Sequence, residues 1–130
     1  MNNLKVTRNL IISAFSSTKS GVSSLIEDNE NAKQAGLGYL NQAMSLISTA
    51  RILYYSDEKL VEDYSFDNLF IAFDEIISSS LESHREMKSQ QAPLGLIEEK
   101  LKPFYKTFRI ATKDDTETEE SIEKEIESEN

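Results

Sequence analysis

Residues 34–56 read QAGLGYLNQAMSLISTARILYYS, and Arg51 is the only charged residue among them. At helical spacing, the apolar and small residues of this stretch form a band that is too broad for a helix lying on a surface. The band consists of Gly36, Tyr39, Leu40, Ala43, Leu46, Ile47, Ala50, Leu53 and Tyr54. Because so broad a band has to be covered from more than one side, we expect this helix at the centre of a small helical bundle.

The residues before this stretch predict a first helix over 4–28, with apolar side chains at steps of four and three and with serines opposite them. Gly21 weakens this helix and is a candidate break point, whereas the glycines of Gly36-Leu37-Gly38 are expected to let a neighbouring helix approach closely. Asn29 or Asn31 can cap the next helix, because its side-chain oxygen can accept a hydrogen bond from a free backbone N–H. The alternative is one continuous helix over residues 4–55.

The residues after this stretch predict two further helices. Ser56-Asp57-Glu58 is expected to form a second cap, which opens either a short helical turn over residues 59–64 or a loop. Ser65 is expected to cap a third helix whose inner face runs from Phe66 to Met87. Residues 89–93 are expected to form a loop, with Pro93 in the first turn of a fourth helix that Pro103 kinks or splits. No stretch alternates as a strand does, so the fold class is all-α, a small bundle of about four helices.

The charge distribution divides the chain into two parts. The net charge is −9. Residues 113–130 hold nine acids and two bases, whereas the preceding 112 residues hold fourteen acids and twelve bases. We therefore expect one helical domain over residues 1–112 and a disordered acidic C-terminal tail over residues 113–130.

Most catalytic chemistry finds no support in the sequence. The chain has no cysteine and a single histidine, His84, and no Glu-x-x-His pair of the kind that carboxylate-bridged metal sites use. Neighbouring acids on a helix, such as Asp74 and Glu75, do not face each other. We therefore expect no enzyme activity, no metal and no cofactor.

The end of the predicted fourth helix mixes basic and aromatic residues, a combination that can bind nucleic-acid backbone and bases. The alternatives are a helix with its aromatics turned inward, or a patch that the acidic tail masks by folding back. The candidate partner-binding residues are Lys100, Lys102, Phe104, Tyr105, Lys106 and Arg109 in this basic-aromatic cluster, and Asp114, Asp115, Glu117, Glu119 and Glu120 in the tail.

The leading hypothesis is a non-enzymatic protein–protein interaction module: a small helical adaptor, regulator or inhibitor of bacterial or phage origin. One alternative is a nucleic-acid-linked regulatory module that uses the basic-aromatic cluster under control of the tail. Another is a structural or assembly protein that forms homo-oligomers. No apolar run is long enough to span a membrane. We expect a cytoplasmic protein, in a bacterium or in a virus-infected host cell.

Overall fold

The structure is a computed structural model that describes residues 3–104. Over that range it contains five α-helices and one π-helical turn, which confirms the all-α fold class. The helices are α1 (Asn3–Ile26), α2 (Glu30–Tyr55), α3 (Glu58–Asp63), α4 (Asp67–Arg85) and α5 (Gln91–Leu96), and the π-helical turn Ile97–Leu101 continues α5. The predicted tail and the domain boundary at residue 112 lie outside the described residues.

The turn between α1 and α2 separates the two helices as an asparagine cap predicts. Asn29 has an extended backbone, and its side-chain oxygen accepts a hydrogen bond of 2.8 Å from the backbone N–H of Ala32. Glu30 follows in the first turn, where the positive end of the helix dipole favours an acid. The alternative of one continuous helix over residues 4–55 is therefore wrong.

The most buried helix is α1 rather than α2, which corrects the prediction for residues 34–56. Eleven residues of α1 are buried, against six of α2. The buried side chains of α2 form one narrow band that includes Leu40, Ala43 and Ile47, whereas Tyr39 is 41% exposed. The prediction failed because the exposed positions of α2 hold uncharged polar and small residues together with a few apolar ones such as Met44 and Ile52, and a lack of charge is not by itself a sign of burial.

The two long helices cross where glycines replace larger side chains. A Cβ atom at Gly21 would meet the side chain of Leu40 at 2.8 Å, and a Cβ atom at Gly36 would meet the side chain of Leu25 at 2.9 Å. The close approach predicted over residues 36–38 is confirmed at Gly36 but is wrong at Gly38, where a Cβ atom would meet nothing within 4 Å. Gly21 does not break α1, because the close packing of Leu40 of α2 against Gly21 supports the helix at that position.

The segment between α2 and α4 is anchored by the predicted cap at Asp57 and by the aromatic ring of Phe66. Asp57 caps α3, since its carboxylate accepts a hydrogen bond of 3.2 Å from the backbone N–H of Leu60. Ser65 does not cap α4, which begins at Asp67 after a buried Phe66 whose ring lies 5.1 Å from that of Tyr54. Packing of this ring in the core sets the start of α4, and it prevails over the local capping preference.

The end of α4 is earlier than predicted. The helix ends at Arg85, and Met87 has a φ of 59° and is 94% exposed, so it does not belong to the inner face. His84 lies in the last turn, where the negative end of the helix dipole favours a basic group.

The last described helix accommodates Pro103 by widening rather than by splitting. It begins at Gln91, two residues before Pro93, so the predicted loop over residues 89–93 is shorter than expected. Ahead of Pro103, the backbone N–H of Lys102 bonds to the carbonyl of Ile97, five residues back. Proline offers no N–H and its ring crowds the carbonyl four residues earlier, and the π-helical turn provides the space it needs.

Candidate functional site

Only part of the basic-aromatic cluster belongs to the described structure. Lys100, Lys102 and Phe104 lie at the end of the last described helix. The other candidate residues lie outside the described residues: Tyr105, Lys106, Arg109, Asp114, Asp115, Glu117, Glu119 and Glu120.

Both described lysines of the cluster are paired with carboxylates. Lys100 Nζ lies 2.5 Å from Glu75 Oε2 on α4, and Lys102 Nζ lies 2.7 Å from Glu98 Oε1 one turn earlier. The hydrogen bond to Glu75 is the main cause that raises the pKa of Lys100 above its usual value. Because each ammonium group already faces a carboxylate, this part of the cluster offers little positive charge to a phosphate backbone.

A groove of about 390 Å³ runs beside these lysines, between α4 and the last described helix. Its lining contains two carboxylates and one ammonium group. The lining residues are Asn68, Ile71, Ala72, Glu75, Glu99, Lys100, Pro103 and Phe104. The excess of acid argues against an anionic ligand in this groove.

A second groove of about 410 Å³ lies between the start of α1 and α3. Asn3 Nδ2 donates a hydrogen bond of 3.1 Å to Asp57 Oδ2 here, and Asp63 is a further lining residue. Within residues 3–104 no three histidine, cysteine or acidic side chains come together as metal ligands would. The same part of the chain has no helix that combines the length and the apolar character needed to cross a bilayer.

The most distinctive surface is the side of α2 that points away from α1, which we call the outer face of α2. No side chain between residues 34 and 50 carries a charge, although 28% of the residues in the chain are charged. Among the exposed residues, Tyr39 and Met44 are each 41% exposed, and Ile52 is 69% exposed. The outer face of α2 consists of Gln34, Ala35, Gly38, Tyr39, Asn41, Gln42, Met44, Ser45, Ser48, Thr49 and Ile52.

Gly38 lies near the N-terminal end of this face and has no role in the packing of the described structure. A Cβ atom at Gly38 would meet no atom within 4 Å, in contrast to one at Gly36. A glycine inside a helix costs about 1 kcal/mol relative to alanine. Intramolecular packing in the described structure therefore explains Gly36 but not Gly38.

The border of the outer face toward α4 is held by polar contacts. Arg51 Nη2 lies 2.5 Å from Asp74 Oδ2, and its guanidinium carbon lies 5.5 Å from the centre of the Phe70 ring. The hydroxyl of Tyr55 donates a hydrogen bond to Asp67, and this bond is the main cause that raises the pKa of Tyr55. These contacts connect the last two turns of α2 to α4. The C-terminal end of the outer face is therefore held by α4, in addition to the packing of the buried side of α2.

The sequence alone did not single out this face as a site. Its signal was visible, since the charge-free run over residues 34–50 is long for a chain of this composition. The lack of charge leads to a prediction of burial, because helical spacing does not distinguish an uncharged exposed face from a buried one.

No family model, curated protein or solved structure matches this chain.

Proposed function

We propose that this protein is a protein–protein interaction module that binds its partner through the outer face of α2. The single observation that carries the proposal is the lack of charge over an exposed helix face about 28 Å long, the rise of residues 34–52. Charged residues are depleted in the centre of protein interfaces, whereas aromatic residues and methionine are enriched. Tyr39 and Met44 fit that composition.

The support behind the outer face favours binding without rearrangement. Leu40, Ala43 and Ile47 lie on the opposite side of α2 and are buried against the rest of the bundle. A helix held in this way presents its exposed residues in one geometry, so little conformational entropy is lost when a partner binds. The partner surface that fits best is another uncharged helix face.

A protein partner accounts for the basic-aromatic cluster better than a nucleic acid does. Lys100 and Lys102 already form ion pairs with Glu75 and Glu98, and a phosphate backbone would have to displace those carboxylates. The nucleic-acid alternative stays a prediction, and it requires the residues after Phe104 to supply the positive charge. No arrangement in residues 3–104 favours catalysis over binding.

The test is affinity capture from a lysate of the source cells, with the immobilised full-length chain as bait. Ser45→Arg places a charge in the middle of the outer face of α2, and Ser78→Arg places the same charge on an exposed position of α4. We expect the captured proteins to be lost with Ser45→Arg and retained with Ser78→Arg. Equal capture by both variants would refute the outer face of α2 as the binding surface.

A further inference from the structure

Three residues of the outer face of α2 lie almost in one line. Gly38, Ser45 and Ile52 are spaced by seven residues, which is nearly two helical turns and a rise of about 10.5 Å for each step. Ile52 is the most exposed apolar side chain of α2, and Gly38 leaves open space where a Cβ atom would be. The line therefore has a projection at one end, a small residue in the middle and a gap at the other end.

This line is complementary to itself when reversed. In an isologous interface, residue i of one copy contacts residue j of the other, and j contacts i. A two-fold axis at Ser45 therefore places residue 38 of one copy opposite residue 52 of the other. Each Ile52 then projects into the space over the Gly38 of the second copy. The same axis brings Asn41 beside Ser48 of the second copy, and these amide and hydroxyl groups can form hydrogen bonds across the interface.

The charge of the chain also favours self-association at this face over other faces. Residues 1–55 carry five bases and three acids, whereas residues 56–130 carry nine bases and twenty acids. Two copies that met through the acidic part would bring carboxylates against carboxylates, and like charges placed close together oppose association. The outer face of α2 lies in the half of the chain with few charges and adds none of its own between residues 34 and 50.

We propose that two copies of this chain form an antiparallel dimer through the outer face of α2, with the two-fold axis at Ser45. This inference rests on the proposed function and names its partner. A single pair of helices over about 28 Å is at the small end of specific interfaces, so the dimer dissociates upon dilution in the micromolar range. The glycine at position 38 then has a role, since any larger side chain would occupy the space that Ile52 of the second copy needs.

Analytical ultracentrifugation of the full-length chain tests the proposal over a range from about 1 µM to about 500 µM. The wild type is expected to shift from monomer to dimer within that range. Ser45→Glu and Ser45→Lys each place like charges against each other at the axis, and each is expected to raise the dissociation constant roughly tenfold or more. Gly38→Leu is expected to do the same by filling the gap.

The decisive step is to mix the Ser45→Glu and Ser45→Lys variants in equal amounts. Opposite charges then meet at the axis, so the mixture is expected to recover the dimer that each variant has lost. Ser78→Glu and Ser78→Lys are the matched controls on α4, and they are expected to dimerise as the wild type does. Circular dichroism confirms that each variant keeps its helices.

Three results would overturn the dimer. These are a wild type that stays monomeric at every concentration, a dimer that neither Ser45 variant weakens, and a mixture that does not recover. A monomeric wild type whose lysate partners are still lost with Ser45→Arg would reject the second copy and keep the interaction module. If the wild type is monomeric and Ser45→Arg and Ser78→Arg capture the same proteins equally well, both the dimer and the interaction module at the outer face of α2 are rejected.

Discussion

Gly36 lies against Gly21 where α1 and α2 cross, and a Cβ atom at Gly36 would stand 2.9 Å from the carbonyl oxygen of Gly21. That separation is too short for a carbon atom, so the two backbones can come this close only without a side chain. The crossing sets the position of α2 on α1, and with it the direction in which the outer face of α2 points. The proposed interaction surface therefore depends on Gly36, which lies on the opposite side of α2.

The first prediction compares two glycines of the same helix. Gly36→Ala places a methyl group against backbone, which cannot move aside as a flexible side chain can, and we expect a loss of about 1 to 3 kcal/mol in the free energy of unfolding. Gly38→Ala is the matched control, and it should gain up to about 1 kcal/mol because its methyl group enters open space and favours the helix. Urea denaturation at low protein concentration measures both, and equal effects of the two changes would contradict the crossing.

The second prediction concerns the hydroxyl group of Tyr54, which is fully buried. It donates a hydrogen bond of 2.6 Å to the carbonyl of Tyr64 and lies 3.4 Å from the backbone N–H of Phe66, so it connects α2 to the start of α4. Tyr54→Phe removes the hydrogen bond to the carbonyl of Tyr64, and we expect a loss of about 1 to 2 kcal/mol in the free energy of unfolding. Tyr39→Phe on the exposed side of α2 should change stability little, and a similar loss in both variants would contradict the role of the buried hydroxyl.

The third prediction concerns two buried polar side chains that join α4 to α5. Ser80 Oγ donates a hydrogen bond of 2.5 Å to Gln90 Oε1, and Gln90 Nε2 donates one of 3.1 Å to the carbonyl of Ser80. Gln90→Ala leaves the buried hydroxyl of Ser80 without its partner, and we expect it to cost about 1 to 3 kcal/mol in the free energy of unfolding.

The control for this pair is a double-mutant cycle. The cycle consists of Ser80→Ala, Gln90→Leu and the variant that carries both changes. The double variant removes both polar groups, so it should lose less stability than the sum of the losses in these two single variants. Strictly additive losses in urea denaturation would mean that the two side chains do not act as a pair.

Local features of this fold could be predicted from the sequence, whereas features that depend on distant partners could not. Asn29 and Asp57 cap their helices through bonds to residues three positions later, and such short-range bonds leave a clear pattern. The cap at Ser65 was wrong because Phe66 packs against Tyr54, twelve residues earlier in the chain. Capping preferences consider only neighbouring residues, so they do not predict that the burial of an aromatic ring sets the start of the helix.

The candidate site shows the same division. The ion pair of Lys102 with Glu98 spans four residues of one helix and was visible in the spacing, but the pair of Lys100 with Glu75 joins two helices and was not. The sequence predicts the outer face of α2 as core, and this prediction is wrong. Burial depends on which other elements cover a helix, and the spacing of residues within the helix does not show that. Within residues 3–104 nothing covers Ser45 or Ile52 enough to bury them, and only the folded arrangement reveals that.

The last prediction concerns the pH dependence of stability at the border of the outer face. The neutral hydroxyl of Tyr55 donates a hydrogen bond to Asp67, which raises the pKa of Tyr55 in the folded protein above its ordinary value of 10.0. The folded state therefore holds this proton more tightly than the unfolded state does. The contribution of the bond to the free energy of unfolding is complete below pH 10 and is lost as the pH rises through the pKa of the folded state. Urea denaturation at about pH 8 and about pH 11 should show that the wild type exceeds Tyr55→Phe in stability by a small amount at the lower pH, and that the difference shrinks at the higher pH. Asp67→Ala removes the acceptor, so in that background Tyr55→Phe should have the same small effect at both pH values. A wild-type difference that is the same at both pH values would contradict the bond.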